Sequence, residues 1–170
     1  MGEVEKTRRS PDYYKDIEYG KVAENDFEQR FGDIISKKGY ILVDVRDKEE
    51  YQNMDIDYIA VNKEDGKNVN IEVKLDSVAL ETGNIPYEVI SHGSLGWCSI
   101  TKANFIYYCF TERDGNEIKK RAWINVSKWR EFCADRKKNK KLSVIKNESI
   151  VDLLCKIKDL EKNKILKWID

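Results

Sequence analysis

The chain has 170 residues with 31 Lys and Arg against 31 Asp and Glu, so its formal net charge is zero, and 41% of it is apolar. That length fits one domain and that apolar fraction supports a packed core, which excludes wholesale disorder. No run of about 18 apolar residues is present to span a bilayer, the charged start lacks the apolar segment of a secretory signal, and a neutral total excludes coating of a polyanion by bulk charge alone.

The zero hides unequal parts. Residues 1–111 carry 14 basic and 21 acidic side chains, and residues 112–170 carry 17 and 10. Either this is chance surface variation or an acidic metal site lies beside a basic surface for a polyanion. The cysteines Cys98, Cys109, Cys133 and Cys155 are widely spaced and His92 is the only histidine. Zinc needs soft ligands in closely spaced pairs, so no zinc site is expected. Cys109 lies in an apolar run and Cys155 in an apolar stripe, so both read as buried small hydrophobes in a reduced, cytoplasmic setting.

In chain order, residues 1–19 are polar, without a clear period, and read as an N-terminal arm. Val22, Ala23, Phe27, Phe31, Ile34 and Ile35 recur at helical spacing over 20–38, with Gly39 as the stop. Residues 40–46 are β-rich and predict a strand, followed by a charged loop over 47–53. Two further strands, 54–62 and 69–75, flank a turn at 63–68 that contains Asp65-Gly66, which reads as a hairpin. Between 76 and 101 loops surround the short apolar stretch 85–90. The almost continuously apolar 104–111 predicts a central strand, 121–126 another, 128–136 a helix, 137–141 a basic turn, and 150–165 a helix. The order gives an α/β fold: a central mixed sheet of four or five strands flanked by helices, with a core over 20–126 and a basic helical C-terminal extension over 127–170.

The chemistry concentrates in the hairpin. Alternate side chains of a strand share a face, so Asp55 and Asp57 point one way, and Glu72 and Lys74 share a face opposite Ile71, Val73 and Leu75. If Asn62 faces Val69, Asp57 faces Lys74 and Glu72 is its diagonal neighbour, about 7–8 Å away. Two carboxylates and an ammonium then converge. Carboxylate oxygens suit a hard cation such as Mg²⁺, and a lysine beside it can orient a bound water, which are the parts needed to hydrolyse a phosphodiester. The plain alternative is a solvated face with cross-strand ion pairs.

Asp57, fourteen intervening residues, then Glu72-Val73-Lys74 resembles the Asp…Glu-x-Lys signature of the PD-(D/E)XK, or restriction-endonuclease-like, nuclease superfamily. It is closest to the Holliday junction resolvase-like and phage-type nucleases. The first helix, Gly20-Lys21-Val22-Ala23-Glu24-Asn25-Asp26-Phe27, and Asp57-Tyr58-Ile59-Ala60 fit that pattern. The resemblance covers residues 20–126 and implies a Mg²⁺-dependent endodeoxyribonuclease, with Mn²⁺ as substitute, acting as a homodimer on duplex or branched DNA. Asp57, Glu72 and the Val73 carbonyl would bind the metal, Lys74 would position the water, and Glu24 would contact a metal, with Glu28 as the alternative helix glutamate. The cysteines do not show the arrangement of the iron–sulfur members, so no cluster is expected. Asp55, Glu88 and His92 stay open between site and surface roles. Ile56 precedes Asp57 where many members have proline, and the segment after Lys74 departs from the resolvases. Arg136, Lys137, Lys138, Lys140 and Lys141 are candidate phosphate contacts, and Trp97, Trp123 and Trp129 candidate stacking groups or core residues. The alternative function is a non-catalytic nucleic-acid-binding or anti-defence module with the same fold.

Overall fold

The computed structural model describes residues 11–113, 117–138, 142–147 and 149–169, with side chains described from 20 onward except at 136–138. The elements in order are α1 (Pro11–Lys37), β1 (Tyr40–Asp44), α2 (Glu49–Gln52), β2 (Tyr58–Asn62), β3 (Asn68–Asp76), α3 (Ala79–Thr82), β4 (Asn84–Ser91) and β5 (Ser94–Leu95). Then follow α4 (Trp97–Ile100), β6 (Phe105–Phe110), β7 (Lys120–Asn125), α5 (Val126–Lys138), β8 (Ser143–Lys146), β9 (Ile150–Lys156), α6 (Ile157–Lys162) and β10 (Leu166–Ile169).

The fold is α/β with two sheets. The first has six strands in the order β1-β2-β3-β6-β7-β10, and the second four in the order β5-β4-β9-β8. All pairings are antiparallel except β3 with β6. Alternation along β6 explains its apolar run. Tyr107 and Cys109 pack beneath α1 with Ala23, Phe27, Ile71 and Val73. Ile106, Tyr108 and Phe110 face the other way, against Ile85, Leu153 and Cys155 of the second sheet and Trp129 of α5. The large sheet is thus covered by a helix on one face and by the small sheet with α5 on the other. Ala23 and Phe27, both fully buried, seat α1, and the Phe27 ring lies 4.7 Å from that of Tyr58. Asp26 ties α1 to the sheet: its carboxylate accepts two hydrogen bonds from Arg121 at 2.8 and 2.7 Å and one from the Tyr107 hydroxyl.

Several expectations need correction. The helix begins at Pro11, inside the segment read as an arm; proline is favoured at a first helical position, so Pro11 opens the helix instead of excluding it. The central sheet has six strands, not four or five. The segment 150–165 is not one helix. Ile150–Lys156 is a strand paired on both sides, with Leu153 and Cys155 pointing into the core. A short apolar run satisfies helical and strand periods alike, and pairing decides between them. The C-terminal segment is therefore helical only in part: α5 forms where a helix was expected at 128–136, but β9 completes the small sheet and β10 pairs with β7 in the large one. The stretch around 85–90 is strand β4 and the loop 47–53 contains α2. No helix among the described residues is long and apolar enough to cross a membrane.

Candidate active site

The predicted hairpin forms, but in another register. Gly66 adopts a left-handed conformation (φ +68), which closes a tight turn with the Asn62 N–H donating to the Lys67 carbonyl at 2.9 Å. Val61 therefore faces Asn68, and the ladder ends at Tyr58 opposite Ile71. The strand is shorter than expected: Asp55 sits before it at φ +46 and does not share a strand face with Asp57. The Asp57 N–H donates to the Ile71 carbonyl at 3.0 Å, and Asp57 Oδ2 accepts from the Val73 N–H at 2.7 Å. Asp57 thus lies beside Glu72, not opposite Lys74. Backbone groups of alternate strand residues face the same side, so the Val73 carbonyl is turned toward the edge that Asp57 occupies.

On the face of β3 away from α1, Lys74 Nζ donates to Glu72 Oε1 at 2.6 Å. Glu72 is 4% exposed, and its Oε2 is buried without a hydrogen-bond partner. The Lys74 ammonium also lies 5.0 Å from the centroid of the Trp97 ring, and the Trp97 N–H donates to Glu88 Oε1 at 3.0 Å. The tight turn at Gly96 lets Glu88 approach, because a Cβ there would stand 2.7 Å from the Glu88 carbonyl oxygen.

These surroundings set the protonation. Burial, reinforced by the Asp57 and Asp55 carboxylates, pushes the Glu72 acid up to about 8 despite Lys74. Burial also raises Asp57, against the opposing pull of the Val73 N–H and Lys74, and burial raises Asp55. For Lys74 burial favours the neutral amine, but Glu72, Asp55 and Asp57 together outweigh it and hold the lysine above its ordinary value. Three carboxyl groups around one ammonium leave an excess of negative charge in a water-poor place, and a proton or a cation must balance it.

Glu24 does reach the cleft from α1, but with a partner. Arg46, in the turn after β1, donates to Glu24 Oε2 at 2.5 Å, to Glu28 Oε1 at 2.6 Å and to Asp44 Oδ2 at 2.6 Å. Its guanidinium also lies 4.9 Å from the Tyr58 ring centroid, and the Tyr58 hydroxyl donates to Glu28. Both candidate helix glutamates, Glu24 and Glu28, are thus paired with the same guanidinium. Hydrogen bonding to Asp44, with Tyr58 and Glu24 nearby, holds the Arg46 cation far above any accessible pH.

A cleft of about 1090 Å³ gathers Glu24, Arg46, Asp57, Glu72, Lys74 and Glu88. Among the described residues, no group of three or more His, Cys, Asp or Glu side chains is drawn close enough to hold an ion by itself. The donor set nevertheless suits Mg²⁺, which keeps several waters and takes one or two carboxylates plus substrate phosphate. Asp57 and Glu72 supply two carboxylates, Glu72 Oε2 is an orphaned acceptor, and the Val73 carbonyl faces the same edge.

The structure brings together Glu24, Asp57, Glu72, Val73 and Lys74, all lining the cleft. His92 is not among its lining residues: it is exposed at φ +50 in the turn between β4 and β5, bonded to Ser91 Oγ. Trp129 is core, 1% exposed. Arg136, Lys137 and Lys138 end α5 with side chains outside the described set, and Lys140 and Lys141 lie outside the described residues. Arg46 is a site residue that sequence reasoning missed, and Trp97, named there as a stacking or core residue, instead packs on the Lys74 ammonium. Arg46 stands twenty-two positions from Glu24, and no local pattern links them. No protein-family model matches the sequence, and no curated protein matches it.

Proposed function

We propose that the chain is a Mg²⁺-dependent endodeoxyribonuclease with a restriction-endonuclease-like core. The observation that carries the reading is the hairpin edge, where Asp57 is locked on the Val73 N–H beside the buried Glu72 and its half-buried partner Lys74. Asp57, Glu72 and the Val73 carbonyl would hold the metal, which when bound supplies Lewis-acid stabilisation of charge on the scissile phosphate and acidifies a water. The Val73 N–H fixes one Asp57 oxygen and leaves the other for binding. The Lys74 ammonium, steadied by Trp97, donates toward the attacking water and offsets negative charge as it builds. Glu72 would release its proton to solvent when it binds the metal, and Arg46 holds Glu24, Glu28 and Asp44 in place at the cleft wall. Branched DNA is the structure-specific substrate the sequence resemblance favours, and a homodimer is the assembly that matches two-fold DNA.

One observation favours the second reading, a binding module without turnover: Glu24 is engaged by Arg46. The two readings separate in one experiment. Duplex, flap, single-stranded and four-way-junction DNA are incubated with the protein in Mg²⁺ and in EDTA. Cleavage of at least one substrate in Mg²⁺ only supports the nuclease. Retention of DNA with every substrate intact in Mg²⁺ and Mn²⁺ supports the binding module.

A further inference from the structure

A second concavity, of about 470 Å³, lies on the α1 side of the large sheet beyond the C-terminal end of the helix. Its wall includes four half-buried aromatic side chains, Phe31, Tyr40, Phe105 and Trp123. Phe31 and Phe105 meet Trp123 edge-on, with centroids 5.3 and 6.3 Å away, so these rings are held in place by one another. Four exposed lysines also line it: Lys38 at the end of α1, Lys128 at the start of α5, Lys164 in the turn before β10, and Lys167 on β10. No Asp or Glu lines the groove. Among the described residues none of these lysines has a carboxylate partner, whereas Lys67, Lys74 and Lys119 elsewhere do.

The groove therefore offers rigid aromatic surface and uncompensated positive charge in equal number, side by side where Lys167 pairs with Trp123 across β10 and β7. A double helix hides its bases and cannot use the rings. A single strand brings one phosphate and one flat apolar base per unit, which is the ratio the groove presents. We propose that this groove binds an unpaired stretch of nucleic acid, with bases against Phe31, Phe105 and Trp123 and phosphates on the lysines. The inference deepens the nuclease reading by naming single-stranded segments as part of the substrate, and in that role it rests on that reading. From Glu24 to Ile35, α1 spans about 16 Å at 1.5 Å per residue, so one strand of a few nucleotides can reach from cleft to groove.

The test is binding, not cleavage, so it stands apart from the test of the nuclease. A fluorescein-labelled 15-mer of deoxythymidylate and a duplex of equal length are titrated in EDTA, with anisotropy as the readout. A second 15-mer carries 2-aminopurine to report stacking. The expected result is preference for the single strand and quenching of 2-aminopurine. Lys128→Glu with Lys164→Glu should weaken binding at least tenfold and flatten the salt dependence of log K by about 1.4, the share of two phosphate contacts. Phe105→Leu, which keeps the charge, should reduce the quenching, with circular dichroism confirming the fold of each variant. Unchanged affinity and salt slope in the double variant overturn the proposal. So does binding of an acidic amphipathic peptide where the oligonucleotide does not bind. Single-strand binding with no cleavage in Mg²⁺ upholds the groove and removes the nuclease; cleavage without groove-dependent binding does the reverse.

Discussion

Replacing Lys74 by methionine removes the ammonium 2.6 Å from Glu72 while keeping most of the side-chain volume against Trp97. The cost depends on pH, because Glu72 escapes isolation by keeping its proton. With Lys74 in place, burial already raises that acid to about 8. At pH 6 Glu72 is therefore neutral in both proteins, and the variant loses only the hydrogen bond and the contact with the ring, about 1–2 kcal/mol. Without Lys74 the acid rises further. Above pH 8 the wild type ionises but the variant must still hold its proton, and each further pH unit adds about 1.4 kcal/mol to the deficit. Urea denaturation at pH 6 and pH 9, followed by circular dichroism, should show a deficit about 1.4 kcal/mol larger at pH 9. Glu72→Gln in the same background should abolish the difference. A deficit that is equal at the two pH values, or larger at pH 6, would refute the reasoning.

Three further outcomes follow from the same geometry. Because the folded-state acids of Glu72, Asp57 and Asp55 are raised, the metal-free fold binds more protons than the unfolded chain, and its stability falls as pH rises from the ordinary carboxylate range toward 8; Mg²⁺ should reverse that fall and release protons on binding at pH 7, seen as a buffer-dependent heat in calorimetry, and a heat independent of buffer contradicts it. Arg46→Ala should cost about 1–3 kcal/mol in urea, since it strands Glu24, Glu28 and Asp44 near one another, and added salt should recover part of the loss by screening them. Gly96→Ala should cost about 1–3 kcal/mol, because the new Cβ meets backbone of Glu88 that cannot yield, and it should disturb the Trp97 contact with Lys74, visible in tryptophan fluorescence.

The sequence disclosed the elements whose signal is local. Ala23 and Phe27 sit one helical turn apart on the face of α1 that the sheet buries. The unbroken run of β6 marks a strand with both faces covered. Alternation in β3 separates Glu72 and Lys74 from Ile71, Val73 and Leu75. What pattern could not give was set by contacts distant in sequence or by backbone at single residues. The left-handed Gly66 shifts the hairpin register and moves Asp57 beside Glu72. Arg46 finds Glu24 across twenty-two residues, and Trp97 reaches Lys74 from α4, a single helical turn too short to show a period. The residues of β9 fit a helix as well as a strand until β4 and β8 pair on either side. The acidic and basic portions of the chain likewise do not separate in space as two domains: Asp26 from the acidic part is bonded to Arg121 from the basic part inside one sheet-and-helix layer.

The most direct test of the proposed chemistry compares wild type with Asp57→Asn on the DNA substrate the wild type prefers, at equal concentrations of folded protein, in Mg²⁺ and in EDTA. Asparagine can still accept the Val73 N–H, so the edge of the hairpin is preserved while the metal-binding charge is lost. Mg²⁺-dependent cleavage by the wild type is expected, with a rate at least about 100-fold lower for the variant. Equal cleavage by the two proteins, or cleavage that persists in EDTA, would contradict it.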